Sequence, residues 1–204
     1  MELLVLPALI LLGAYILKSR DQRQRIALLG SHLGQYQIEK LMETLTEGYL
    51  RCLGEADAER RAQIWNMLSL TEATLTEQFN RFAADFAKVD EAQTRVSKFP
   101  LAIPFIHYAS RIFPGTSFDV RKVFLVHARG IADAAANRRE LSPRDKAFTM
   151  SAELFLMQHT CHWYCRSKAV ASTRMMARHQ NSYALLLDSV APDTRIAYRH
   201  LTGD

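Results

Sequence analysis

The sequence predicts an all-α protein: an N-terminal single transmembrane helix followed by a helical bundle of about six or seven helices, including one long helix or helix pair near residues 143–190. Three observations carry this expectation. From Ile26 onward, apolar residues recur at steps of three and four, the spacing of one helix face. No run alternates apolar and polar residues as a half-buried strand would. Glycine and proline, 8 and 6 of 204 residues, gather at a few points and leave long uninterrupted stretches between them.

The first element is "MELLVLPALILLGAYILKSRDQRQR". From Leu3 to Leu17 it carries no charge. As a helix this run spans roughly 22 Å at ~1.5 Å per residue, short of a hydrocarbon core of ~30 Å. Met1 lengthens it, Tyr15 suits an interface, and Lys18 and Arg20 can snorkel. A cleaved signal peptide places its positive charges ahead of the apolar run. Here Glu2 precedes it, and Lys18, Arg20, Arg23 and Arg25 follow. That bias sets the start outside and the rest in the cytoplasm. The expected organisation is a transmembrane anchor at 1–19, a basic juxtamembrane segment at 20–30 lying against anionic headgroups, and a cytoplasmic α-helical domain at 31–204. Three cysteines, an odd and small number, fit a reducing compartment better than a disulfide framework.

The bundle elements follow in order. Ile38, Leu41, Met42, Leu45, Tyr49, Cys52 and Leu53 mark one helix face, which Gly54 closes. "EADAER" restarts the next helix through Ala58, Ala62, Trp65 and Leu68. Ser69 with Glu72 three residues on reads as a capping box ahead of Leu75, Phe79, Phe82, Ala83 and Phe86. In "KFPLAIPFIHYASRIFPG" two prolines interrupt an apolar run, read as a short buried helix or, alternatively, an interfacial membrane contact. Thr116 and Asp119 read as a cap for a helix facing inward through Val120, Phe124, His127, Ala128, Ile131 and Ala135. Ser142, Pro143 and Asp145 read as N-cap, N1 and N3 of the long element, with a break expected near Ser167–Thr173. A stripe from Ala147 through Met150, Leu154, Met157, Cys161 and Cys165 continues across that break to Ser172, Met176, His179 and Tyr183. A short helix from about Asp193 to His200 ends the chain.

Charge is uneven. Residues 1–100 hold 12 Lys/Arg against 13 Asp/Glu, and residues 101–204 hold 14 against 8. Between Glu153 and Asp188 no acidic residue occurs, while Arg166, Lys168, Arg174 and Arg178 add positive charge. A basic half of this kind meets anionic lipid, nucleic acid or an acidic partner.

Signatures of phosphate loops, dinucleotide sites, zincins and nucleophile elbows are missing, which weighs against an enzyme. One cluster remains, "MQHTCHWYCRSK". Cys161, His162 and Cys165 could offer three metal ligands from one helix surface, with His127 as the best-placed fourth. Free cysteine also packs as a small hydrophobe, so the same residues read as core. The expected function is that of a membrane-anchored protein whose cytoplasmic helical domain is an interaction or assembly module beside the bilayer. Its partners are the bilayer and anionic headgroups, together with a protein partner or further copies, and no cofactor is expected. The alternatives are a metal- or cofactor-binding protein using Cys161, His162, Cys165 and His127, and a tethered nucleic-acid binder using Arg166, Lys168, Arg174 and Arg178. Nucleic acid is the less expected partner, since headgroups would already be at high effective concentration.

Overall fold

The computed structural model describes residues 2–204, with side chains from Leu6 onward. Its elements are α1 (Glu2–Leu33), α2 (Ile38–Gly54), α3 (Ala58–Phe86), α4 (Glu91–Thr94), β1 (Arg95–Ser97), α5 (Ile106–Ile112), a 3-10 turn (Pro114–Thr116), β2 (Ser117–Asp119), α6 (Val120–Ala135), α7 (Pro143–Cys165), α8 (Lys168–His179), α9 (Tyr183–Ser189) and α10 (Pro192–Thr202). The protein is an all-α helical bundle, 79% helix, with ten α-helices among the described residues. Three of these, α4, α5 and α9, are one or two turns long and exceed the six or seven that periodicity predicts.

The expected transmembrane anchor is not supported. No described helix is long and apolar enough to cross a membrane. Charges begin at Lys18, so the apolar stretch of α1 ends well before a bilayer's thickness is reached. The single-pass placement, with an outside N-terminus and a cytoplasmic bundle, falls with it. Met1, which the sequence adds to the run, lies outside the described residues. α1 continues without interruption through 19–20 and 30–31, where the anchor and juxtamembrane segments were expected to end.

α2 and α3 form an antiparallel hairpin closed by Asp57, whose carboxylate caps α3 by accepting from the Glu59 and Arg60 amides. They approach closely at Gly48, where a β-carbon would stand 2.4 Å from Leu68 Cδ2. α3 does not restart at Ser69: the helix runs through it, and the Ser69 hydroxyl donates to the Trp65 carbonyl instead. Glu72 is therefore no capping residue. It falls in phase with Leu68, Leu75 and Phe79 and is buried.

α6 and α7 form a second hairpin, packed on α3 by an aromatic cluster. Phe82 and Phe86 each lie 5.2 Å from Phe124, and Phe86 lies 5.9 Å from Tyr164. Ser142 caps α7 by accepting from the Asp145 amide, with Pro143 at the start, as the sequence predicts. α7 ends at Cys165, and Ser167 caps α8 by accepting from Val170. The long element is thus two helices. The extended Ser167 resets the helical phase, so Met175 is buried and Met176 exposed. The stripe carried unbroken through the junction is out by one residue.

Two three-residue strands pair antiparallel, with Val96 opposite Phe118. They sit under α7, where Trp163 Nε1 donates to the Ser97 carbonyl at 2.9 Å and the Trp163 ring meets Phe118 at 4.9 Å. Asp119 caps α6 from the end of β2, accepting from the Arg121 amide; Thr116, the expected cap, belongs to the preceding turn.

Candidate functional site

Most of α7 from Lys146 to Tyr164 is buried, with Phe148 exposed, and its polar residues are tied to five neighbouring segments. The Lys146 ammonium donates to the Glu72 carboxylate of α3, which also accepts from the Tyr49 hydroxyl of α2. Glu153 accepts from the Ala191 amide at 3.0 Å. Thr160 Oγ1 donates to the Leu156 carbonyl and receives His127 Nε2 of α6 at 2.8 Å. His159 Nε2 meets the Ser172 hydroxyl of α8 at 3.1 Å. Tyr164 donates to the Gln93 carbonyl of α4 at 3.0 Å.

Three of these groups are strongly perturbed. Burial pulls His127 down to about 3, with the charge of His159 adding to the effect. Burial, then Lys168, pulls His159 to about 3 as well. Burial pushes Glu153 up to about 7, against hydrogen bonds from Ala191 and Thr194. Perturbed groups of this kind mark active sites when they line a cleft. These do not: all three are fully buried, and Gly130 and Thr194 stand between Glu153 and the α6–α10 groove. A β-carbon on Gly130 would lie 2.4 Å from Thr194 Oγ1 and 2.5 Å from Glu153 Oε2, so only glycine lets α6 close over that carboxyl.

The four predicted metal ligands are not brought together. His127 is spent on Thr160 in the core. Cys165 stands on the side of Arg25, Arg166 and Arg174, its thiol pushed up to about 11 by burial. Cys161 and His162 instead line a groove of about 490 Å³ between α2, α7 and α8. That groove also contains Met42, Met157, Glu39, Glu43 and His179. Only the closing of α8 back along α7 brings His179 there, stacked 4.0 Å from Phe155. Among the described residues no three His, Cys, Asp or Glu side chains form a group that could hold a metal ion.

The basic residues of the second half do not form one free face. Arg166 donates to Gln22 of α1 at 3.0 Å, Lys168 pairs with Asp204 and lies 5.0 Å over Trp163, and Arg174 meets His162 Nδ1 at 3.2 Å. Arg178 lines the groove.

The outer half of α1 is the most unusual surface. Arg25, expected as a membrane-flanking cation, is buried and holds α1 to the body. It pairs with Asp21 at 2.8 Å, donates to the Arg95 carbonyl at 2.9 Å and stacks 5.3 Å over Tyr164. Leu29 completes the contact. Beyond this anchor Lys18 is half-buried, and Arg20 and Arg23 are exposed. Further out, Leu6, Leu9, Ile10, Leu11, Leu12, Tyr15, Ile16 and Leu17 are each 46–71% exposed. They cover the whole circumference, because consecutive positions 9 to 12 are all apolar. At the base of this helix, Leu101 to Ile103 lie beside Asp21 and Arg25. Leu101, Tyr108, Ile112 and Phe113 on the body are exposed as well. No protein-family model, curated protein or solved structure matches the chain.

Proposed function

We propose that this protein is an assembly module: a rigid helical body that joins a second copy of itself through the outer half of α1. The observation that carries the reading is the eight large apolar side chains exposed around α1 between Leu6 and Leu17. A helix that is apolar on every side is stable when enclosed, and contiguous exposed apolar surface marks an interaction site. Covering half of that surface in a pair, eight side chains at ~1.5–3 kcal/mol each, is worth about 12–24 kcal/mol. Association costs ~4–15 kcal/mol, so the surface suffices for a stable pair.

Charge selects the direction. The only acidic residue before position 21 is Glu2, and the first cations are Lys18 and Arg20. An antiparallel pair sets position 2 of one copy beside positions 18–20 of the other, whereas a parallel pair sets like charges together. Such a pair is self-complementary about a twofold axis, the commonest form of oligomer.

Light scattering of the full chain after gel filtration tests this. A wild-type dimer, with Leu9→Asp/Leu12→Asp a monomer of unchanged helicity, is the expected result. A monomeric wild type overturns it, as does a monomer that sediments with phospholipid vesicles or a dimer that survives the double substitution.

A further inference from the structure

α10 is held to the body by a face with little apolar content. Its buried residues, Thr194, Tyr198 and Thr202, all end in hydroxyls, while Ile196 is 67% exposed. An element with few buried apolar contacts opens at low cost. Its start is not capped from within either: Ala191 at the N-cap makes no side-chain hydrogen bond. Part of the cap comes from α7, where Glu153 Oε1 accepts from the Ala191 amide at 3.0 Å. That is the bond a glutamate three residues on makes in a capping box, supplied here by another helix. The second carboxyl oxygen, Oε2, is buried and has no hydrogen-bond partner. Gly130 of α6 and Thr194 of α10 separate it from the groove between those helices, a cavity of about 850 Å³ with Leu125, Val126 and Ala197 on its walls.

A carboxyl placed in this way has two distinct states. With its proton it carries no charge, and Oε2–H can turn to the Thr194 hydroxyl. Without the proton, a charge is enclosed with one oxygen unbonded, which is costly until water reaches it. The seam between α6 and α10 is the wall that can part, since α10 has little apolar surface to lose. We infer that Glu153 is a proton switch on α10: protonated, it keeps α10 closed on α6 and α7; ionised, it draws water through the Gly130–Thr194 wall and releases α10.

The surroundings set the direction. Burial, opposed by the Ala191 and Thr194 bonds, lifts Glu153 from 4.5 to about 7. The closed form therefore holds the proton more tightly than a hydrated carboxyl does, and its advantage is lost as pH rises through about 7. The charged groups on the elements around it are engaged elsewhere or stand at the groove. On α6, Asp133 adds to the rise and pairs with Arg138 at 3.1 Å and Arg129 at 3.9 Å. His127 is bonded to Thr160. Asp188 of α9 pairs with Arg195 of α10 at 3.4 Å, and Asp193 and His200 of α10 line the groove.

Hydrogen exchange of the full chain, followed by mass spectrometry and corrected for the intrinsic pH dependence of exchange, tests the switch. With 4.5 for the hydrated carboxyl and about 7 for the closed one, the opening equilibrium of α10 should rise about tenfold between pH 6 and pH 8. The amides of α7 should remain better protected than those of α10 at both values. Glu153→Gln, which keeps an acceptor for Ala191 and cannot ionise, should abolish the rise, with circular dichroism confirming its fold. His200→Gln, which removes the groove imidazole, should leave the rise intact. A wild-type α10 whose protection does not change with pH overturns the inference. So does an equal rise in Glu153→Gln, its loss in His200→Gln, or identical protection of α7 and α10, which would make the opening global. The switch uses no residue of α1 and stands apart from pairing.

Discussion

α1 and α7 are both long helices whose apolar residues reach beyond one face, and they end in opposite environments. α7 is largely enclosed, and its charged and polar residues find partners in five neighbouring segments. The outer half of α1 has almost nothing polar to pair and nothing around it. Apolar residues beyond a single face therefore say that a helix needs surroundings on several faces. They do not say whether the same chain supplies them. Polar residues scattered through α7 fix it to particular neighbours, because each buried polar group demands a specific partner. The uniform leucines of α1 demand only apolar cover, which a second copy can give.

The contrast predicts large penalties in α7 and none in outer α1. Lys146→Ala leaves the Glu72 carboxylate buried beside Tyr49 without its cation, and is expected to cost about 3–5 kcal/mol in urea unfolding. Glu72→Leu/Lys146→Met should recover most of that loss, since it removes both charges. Gly130→Ala forces a methyl against Thr194 and Glu153 and is expected to cost about 1–3 kcal/mol by the same measurement.

Titration sharpens the comparison further. Glu153 rises from 4.5 to about 7 on folding. The folded state therefore holds this proton more tightly. Its contribution to stability is complete below pH 4.5 and is lost as pH climbs through about 7. Glu153→Gln should gain on the wild type across that window and keep a constant difference above it. His127 and His159 act in the opposite direction. Both fall from 6.5 to about 3, so their contribution is present above pH 6.5 and lost progressively as pH drops toward 3. Stability curves at pH 5, 6, 7 and 8 check both signs. Leu9→Asp, by contrast, is expected to change the urea midpoint by less than about 0.5 kcal/mol, because its side chain is exposed. Its effect should appear only in the molecular mass.

The helices with a stripe were legible. The inward faces of α2 and α6, the Gly54 stop and the Ser142–Pro143 start all follow from spacing and cap chemistry. Two kinds of feature were not, and a third was legible but misread. β1 and β2 are three residues each, too short for any period to show. Glu72 looked like a cap because Ser69 precedes it by three. Its phase with Leu68 and Leu75 marked it as a buried carboxylate, and that phase was readable. The groove around Cys161 depends on the turn at Arg166–Ser167, which folds α8 back and brings His179 from 14 residues past Cys165 to Phe155 and Gln158. The fold-back itself is a tertiary event that no spacing within α7 encodes. The apolar run of α1 was the easiest segment to see and the easiest to misassign, since its composition suggests a lipid span that its length does not complete.

The claim that the outer halves of two α1 helices meet antiparallel is tested most directly by disulfide trapping. An antiparallel pair centred between positions 2 and 18 places residue 10 of each copy opposite its counterpart. Ile10→Cys is expected to form a covalent dimer rapidly under mild oxidation, whereas Leu6→Cys and Leu17→Cys are not. No covalent dimer at position 10, or equal yields at all three positions, would contradict the pairing.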